Sequence, residues 1–365
     1  MDTFLRPCLG FFLSIVASLP VVSAEQPVLQ DLFASGKDDY HTYRIPAIVT
    51  TNKGTLLVFC EGRKNNRNDH GNLDMLLRRS VDGGESWMAT QLVYEEGGDT
   101  DVTIGNACPV VDRETGIIWL PFTRNNADVL ITSSKNDGKS WSKPINITKQ
   151  VKRDGWGWYA TGPGNGIQLT RGTHKGRLII PCDHRLTRIT DRNKSTRSHV
   201  IYSDDHGATW KIGGSTDFLM NECTIAELTD GSLLLNMRSN RGRKMRAVAT
   251  SQNGGIDWSN CVDNPALPEP VCQANMLRVN WPADNQPGRL VFSNPASRSK
   301  RENLVVRGSY NDGKTWPTNR TIYQGAAAYS CMTVLANGNI GIVFERDNYA
   351  FISYCEVSLQ WLEGF

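Results

Sequence analysis

Five times along the chain the pattern Ser-x-Asp/Asn-x-Gly-x-x-Trp returns, at Ser80 to Trp87, Ser134 to Trp141, Ser203 to Trp210, Ser251 to Trp258 and Ser309 to Trp316. The third position is Asp82, Asn136, Asp205, Asn253 and Asn311 in turn. This is the chemistry of a hairpin corner. An Asp or Asn side chain folds onto nearby backbone N–H groups, and the Gly supplies the positive φ that a tight turn needs. The Trp ring can then pack beside a strand and clamp the hairpin. A loop rich in Asp also raises calcium. The spacing and terminal Glu of a calcium-binding EF-hand loop are missing, which argues against it.

The spacing constrains the architecture. From Ser80 to Ser309 four steps cover 229 residues, about 57 per step. Divided into a mature chain of 341 residues (25–365), that step gives about six units. Short apolar runs stand between the corners: Thr55 to Phe59, Gly116 to Leu120, Arg177 to Ile180, Ser232 to Leu235, Arg289 to Phe292 and Ile340 to Phe344. Each reads as a β-strand, and no long amphipathic helix competes. Repeats of this size built from short strands predict an all-β chain, a six-bladed β-propeller closed by these corner turns. No second domain is visible, so 25–365 is read as one propeller domain.

The N-terminus reads as an export signal. Arg6 precedes a mostly apolar run from Leu9 to Val22, and Val22-Ser23-Ala24 is a small-residue cleavage site, so residues 1–24 are expected to be removed. No other stretch approaches the roughly 20 apolar residues that span a bilayer. Export permits disulfides. Of nine cysteines, Cys8 lies in the signal, and the other eight form no CxxC pair that would suggest zinc. Cys261 and Cys272 flank a Pro-rich loop, a spacing open to a disulfide, whereas Cys60 and Cys331 sit in strand-like runs and read as buried thiols. Asn146, Asn193 and Asn319 head glycosylation sequons. The formal charge is +3, and the basic residues are scattered, which excludes a nucleic-acid footprint. The densest basic run, Arg185, Arg188, Arg192, Lys194 and Arg197, reads as a solvated loop.

Corner turns are structural and occur in propellers of unrelated activity, so function has to come from elsewhere. Outside the corners stand Tyr43-Arg44-Ile45-Pro46, Glu61-Gly62-Arg63, Asp69 in a polar loop, Glu222, Arg238 at a strand end, Arg301, Tyr329 after a run of small residues, and Glu345. Arg44 adjoins an apolar run, where a charge is costly unless paired. With Arg-Ile-Pro followed by several Asp-box corners, the chain resembles the exo-sialidase family over nearly its whole mature length. Trp158 to Gly164, Ser293-Asn294-Pro295 and Ala328-Tyr329-Ser330 resemble it too. Two departures are mild: three corners carry Asn for Asp, and Tyr43 stands where Phe is commoner.

The resemblance implies a site. Sialic acid carries a carboxylate at its anomeric carbon, and Arg44, Arg238 and Arg301 would surround it, since guanidinium binds carboxylate through paired, charge-assisted hydrogen bonds. Arg298 and Arg307 flank Arg301, which is chosen for the Arg-x-Asn-Leu pattern before the last corner. Glu345 would hold Arg44, and Arg63, near Asp69, would contact the sugar ring. The nucleophile would be Tyr329, with Glu222 taking its proton; sialidases are the known exception to the two-carboxylate scheme of glycosidases. A neutral phenol avoids the repulsion that an anionic nucleophile would meet from the substrate carboxylate. Asp69 would be the acid/base on the leaving oxygen, with Asp74 and Asp101 as alternative donors. The expected outcome is a glycosyl–tyrosine intermediate and net retention, with sialylated glycans as partners and no cofactor or metal. His70, His184 and His199 read as isolated polar residues.

Three rival readings compete with this one. A trans-sialidase would pass the intermediate to a sugar acceptor; acceptor-site aromatics would discriminate, and Trp156 and Trp158 leave that open. A sialic-acid-binding propeller without turnover needs the arginines only, so Asp69, Glu222 and Tyr329 argue against it. A purely structural propeller needs none of these polar positions. Linkage preference and oligomeric state stay open.

Overall fold

A computed structural model describes Met1 and residues 26–283 and 286–364, and the expected signal segment, apart from Met1, lies outside them. The described chain is almost all β, in short antiparallel strands. The first sheet runs Thr42–Thr50, Leu56–Arg63, Leu73–Ser80 and Gln91–Tyr94. In the second, Ile104–Gly105 and Val110–Val111 both pair with Ile118–Arg124, followed by Asp128–Ser134 and Ile145–Asn146. In the third, Trp156–Thr161 and Ile167–Gln168 pair with Leu178–Leu186, followed by Thr196–Ser203 and Lys211–Phe218. The fourth runs Met220–Glu227, Leu233–Ser239, Met245–Ser251 and Val262–Pro268. The arrangement is propeller-like. Innermost strands of successive sheets lie against each other, and Thr42–Thr50 meets Thr318–Val334 to close the ring.

Five hydrogen-bonded sheets are present among the described residues, where the repeat predicts six units. The difference has one cause. The 17-residue strand Thr318–Val334 pairs through Thr318 to Ala326 with Glu302–Ser309, and through Ala327 to Val334 with Ile340–Arg346. One uninterrupted strand therefore fuses two spacing units into a seven-stranded sheet, from Asn275–Asn280 through Arg289–Pro295 to Phe351–Val357 and Gln30–Ala34. The first strand of the chain thus completes the last sheet, where Asp31 accepts from Arg346 at 2.7 Å and from Ser353 at 2.6 Å.

All six apolar runs are strands, and each continues past its apolar part: Leu56–Arg63, Ile118–Arg124, Leu178–Leu186, Leu233–Ser239, Arg289–Pro295 and Ile340–Arg346. Their apolar faces fill the gaps between sheets. Leu57, Phe59, Leu120 and Phe122, all fully buried, belong to one such layer. Truncating a Phe there is expected to cost about 3–5 kcal/mol.

The five corners share one bonding scheme. The Ser hydroxyl accepts from the Gly N–H at 2.8–2.9 Å in every case. The Asp or Asn Oδ1 accepts the N–H four residues on at 2.9–3.0 Å. Asn serves as well as Asp because only that one oxygen is required. Each Gly has φ between +76° and +101°. The Trp rings also reach across sheets: Trp87 meets Tyr354 of the last sheet edge-on at 5.1 Å, and Trp141 meets Phe59 of the first at 5.5 Å.

Buried and half-buried amides bridge neighbouring sheets. Asn165 donates to Ile48 O at 3.2 Å and Met332 O at 2.8 Å, and Asn275 donates to Asn165 at 3.0 Å. Gln273 donates to Pro163 O at 3.1 Å and to Ser330 O at 3.0 Å while accepting from Ser330 N. These bonds satisfy polar groups that would otherwise be costly in the interior.

All eight described cysteines are unpaired and buried. The Cys261–Cys272 disulfide is therefore not formed. The two thiols pack in different clusters, Cys272 against Ile45 and Tyr329, Cys261 with residues of the third and fourth sheets. Cys60 and Cys331 are buried thiols in one shared cluster, as the strand pattern indicates.

Candidate active site

The Arg-Ile-Pro segment makes an irregular strand. Pairing between Thr42–Thr50 and Leu56–Arg63 slips between Arg44 and Ala47, and Ile45 has φ +61°. A β-branched residue there stores strain of roughly 1–3 kcal/mol. Glu345, fully buried at the end of its own strand, holds the distortion. Its Oε1 accepts from Arg44 Nε at 2.6 Å and Ile45 N at 2.8 Å, and its Oε2 accepts from Tyr329 N at 3.1 Å. One carboxylate thus fastens Arg44 and Tyr329, 285 positions apart in the chain, into one frame.

Three guanidiniums converge on Tyr329. Arg44 lies 5.3 Å and Arg301 5.4 Å from the ring centre, and Arg238 Nη1 donates to Tyr329 Oη at 3.2 Å. It is Arg301, not its neighbours, that comes here: Arg298 is exposed, and Arg307 donates to Asn294 at 2.9 Å. The Tyr329 hydroxyl donates a short hydrogen bond to Glu222 Oε1, while Glu222 Oε2 accepts from Arg238 Nη1 at 2.7 Å. Burial pushes the Tyr329 phenol well up, and the Glu222 charge adds to this against the opposing pull of Arg238 and Arg301. Tyr329 is accordingly protonated at rest, with an acceptor already aligned.

Asp69 stands at the mouth with a side chain 76% exposed. Arg63 Nη1 donates to it at 2.9 Å, and Arg44 Nη1 is 3.9 Å away. Burial works to raise its carboxyl, but Arg63 and then Arg44 prevail and hold it below the usual range. Asp74 is not an alternative donor to this cavity: it is buried and takes bonds from Tyr40 at 2.7 Å and Lys64 at 3.3 Å. A cavity of about 270 Å³ unites Arg63, Asp69, Glu222, Arg238 and Tyr329. That is near the low end for small-molecule sites, and the charged lining suits a polar ligand. Arg44, Arg301 and Glu345 adjoin it through Tyr329, whereas the alternative donors Asp74 and Asp101 do not line it.

Other participants were given no role by the sequence, which singled out Glu61 beside Arg63 but neither Tyr349 nor Asn221. Tyr349, at φ +72°, lies under Arg44 at 4.0 Å and accepts from Arg301 at 3.1 Å. The Asp347-Asn348 pair before it signals a turn but gives no hint of where the ring goes. Glu61 bonds Arg63 at 2.7 Å and accepts from Asn106 N at 2.9 Å. The two-residue separation of Glu61 and Arg63 puts both on one strand face, a signal present in the sequence. Asn221 Nδ2 donates to the buried Asp183 at 2.8 Å behind Glu222, a pairing with no local signature.

Two expectations are corrected. His184 and His199 are not isolated: their Nδ1 atoms are 3.0 Å apart, His199 Nε2 meets Tyr159 Oη at 2.9 Å, and His184 stacks on Trp156 at 3.5 Å. Burial keeps both neutral, pushing His184 down to about 3. The stack also takes Trp156 out of the cavity lining, which leaves Trp158 there. The basic run is not wholly a solvated loop either. Arg188 and Lys194 are exposed, whereas Arg185 is half-buried and lines the cavity, as does Arg192. Among the described residues no group of three or more His, Cys, Asp or Glu side chains is placed to hold a metal, and no helix is long and apolar enough to cross a membrane.

Residues 54–342 match the BNR repeat-like domain family. The chain is 33% identical over 376 residues to a sialidase of Micromonospora viridifaciens, covering 96% of this chain and 57% of that one. It is 33% identical over 358 residues to a sialidase of Bacteroides fragilis, covering 89% and 64%. It is 31% identical over 371 residues to an exo-alpha-sialidase of Aspergillus fumigatus, covering 88% and 85%. It therefore spans less than two thirds of the first two relatives. Among solved structures, a Hadza microbial sialidase superposes with a TM-score of 0.81 at 29% identity, over 90% of this chain and 68% of the other. A leech intramolecular trans-sialidase gives 0.80 at 17% identity, over 94% and 71%, a likeness of fold alone. The arginines, the tyrosine–glutamate contact and these matches agree, and the chain belongs to the sialidase family, a family of glycoside hydrolases.

Proposed function

We propose that this chain is an exo-alpha-sialidase that releases terminal sialic acid from glycans with retention. The observation that carries the reading is the Tyr329–Glu222 hydrogen bond beneath three converging guanidiniums. Arg44, Arg238 and Arg301 bind the substrate carboxylate, which places the anomeric carbon over Tyr329 Oη. The oxygen attacks that carbon as Glu222 takes the phenolic proton. The bond to the aglycone breaks, and its oxygen takes a proton from Asp69. In the second step Asp69 accepts a proton from water, water oxygen attacks the anomeric carbon, and the tyrosine leaves with the proton from Glu222. Arg63, held by Glu61, positions Asp69 and contacts the sugar. Seating the substrate carboxylate at Arg44 offsets part of the positive field on Asp69 and raises its carboxyl toward the protonated form it needs. A cavity of about 270 Å³ suits a single sugar, which favours a terminal residue. The seven-stranded sheet is best counted as two blades sharing a strand, which makes six. The apolar N-terminal run favours export of the chain.

The test is release of a fluorescent aglycone from an alpha-sialoside, with NMR of the anomer first formed. Alpha-sialic acid appearing first supports the reading, and beta first overturns retention. Adding lactose as acceptor separates transfer from hydrolysis: a sialylated lactose product in excess of free sialic acid would replace hydrolase by trans-sialidase.

A further inference from the structure

The arginines in and beside the cavity fall into two groups. Arg44, Arg63 and Arg238 each have a carboxylate partner, respectively Glu345, Glu61 with Asp69, and Glu222. Arg301 has none and faces the place assigned above to the substrate carboxylate. Arg185 also has none among the described residues. It stands on Leu178–Leu186 of the third sheet, a different sheet from those of Arg44 and Arg238, while Arg301 immediately precedes Glu302–Ser309 of the last. Its guanidinium lies 4.4 Å over the Trp158 ring, and its Nε is buried without a hydrogen-bond partner. Arg192, Asn193 and Thr196 follow on the adjoining hairpin and line the same cavity.

Neighbouring acids do not neutralise this wall. Asp183 is fully buried, bonded to Asn221, and pushed well toward its neutral form by burial and then by Glu222. Asp191 is taken by Lys194 at 3.4 Å. A half-buried guanidinium with a cationic neighbour and no carboxylate at ion-pair distance is unfavourable in the empty protein. Stacking on the indole orients the guanidinium plane without supplying that charge. An anion on the ligand would supply it.

We propose that Arg185, backed by Trp158 and extended by Arg192, forms a second anion subsite, and that the preferred substrate is a glycan with a second carboxylate or sulfate besides the sialic acid carboxylate bound near Tyr329. The inference rests on the sialidase reading for the first carboxylate. The second charge has two possible sources, another sialic acid or a sulfated sugar.

The experiment titrates the Tyr329→Phe variant, which holds ligand without turning it over, with three probes: 3'-sialyllactose, an alpha-2,8-linked disialyllactose and a sulfated sialyllactose. A dianionic probe binds about tenfold tighter than sialyllactose, as one charge-assisted hydrogen bond predicts. Adding Arg185→Gln removes that advantage. Adding the exposed Arg192→Gln, which does not disturb packing, removes part of it, and salt weakens it. Tighter binding of the disialyl probe alone assigns the subsite to a second sialic acid, of the sulfated probe alone to a sulfated sugar, and of both to either source; all three outcomes support it. Equal binding of all probes, or a preference that survives both substitutions, overturns it. Failure of every sialylated probe to bind overturns the sialidase reading as well, so the two failures are distinguishable.

Discussion

The corner turns and the cavity are built by opposite means. At a corner, Ser, Asp or Asn, and Gly bond across two to four positions, so each turn is complete within one short segment. In the cavity, Arg44 meets Glu345 across 301 positions and Tyr329 meets Glu222 across 107. Local pairs exist there too, Arg63 with Glu61 and Asp69 and Arg238 with Glu222, but only ring closure brings Glu345 to Arg44 and Glu222 to Tyr329. Corners therefore tolerate Asn for Asp one at a time, whereas a single loss in the cavity leaves a buried partner stranded.

Four substitutions test that contrast. Tyr329→Phe removes the hydroxyl and keeps the ring, and is expected to lower kcat about a thousandfold or more while glycan binding survives. Stopped assays beside calorimetric titration check it, and near-normal turnover in a folded variant would sink the assignment. Glu345→Ala strands Arg44, Ile45 N and Tyr329 N, and is expected to lower stability by about 3–5 kcal/mol in denaturant unfolding, as for other broken buried pairs. A loss within 1 kcal/mol would mean that Glu345 is not the hub. Asp69→Ala is expected to cost about a hundredfold on sialyllactose and far less on an activated aryl sialoside, because only the poor leaving group needs the proton. The depressed Asp69 carboxyl also has a sign: as pH rises Asp69 loses its proton first, so activity on sialyllactose falls at lower pH than activity on the aryl substrate. Parallel pH profiles would contradict this. Asn136→Ala is expected to cost only about 1 kcal/mol of stability, with kcat/KM unchanged and Asn136→Asp near neutral. A cavity-sized loss there would erase the contrast.

The same contrast explains what was legible in the sequence. The corners and the six apolar runs were, since both are local patterns. The strand extensions were not, apart from Arg238 at its strand end. Glu61 and Arg63, Asp183 and Arg185, Arg238, and Glu345 all lie where a strand leaves its apolar run and turns polar at the cavity. Polarity there reads as loop, yet it marks the part of each strand that carries chemistry. The site residues were found through resemblance, and the physical pairing of Glu345 with both Arg44 and Tyr329 appears only in three dimensions. The unit count missed the shared strand because nothing in Thr318 to Val334 interrupts pairing between its two halves. Tyr349 and the His184–His199 contact were invisible for a simpler reason: each depends on a partner far along the chain or across a strand pair.

The central claim is that Tyr329, with Glu222 as its proton acceptor, forms the bond to the sugar. A 2,3-difluorinated sialic acid slows breakdown of such an intermediate, so it can be trapped, digested and read by mass spectrometry. The account predicts one sugar adduct on the peptide that contains Tyr329, absent in Tyr329→Phe and formed much more slowly in Glu222→Gln. An adduct on Glu222 or another side chain, or rapid turnover with no adduct on Tyr329, would contradict it.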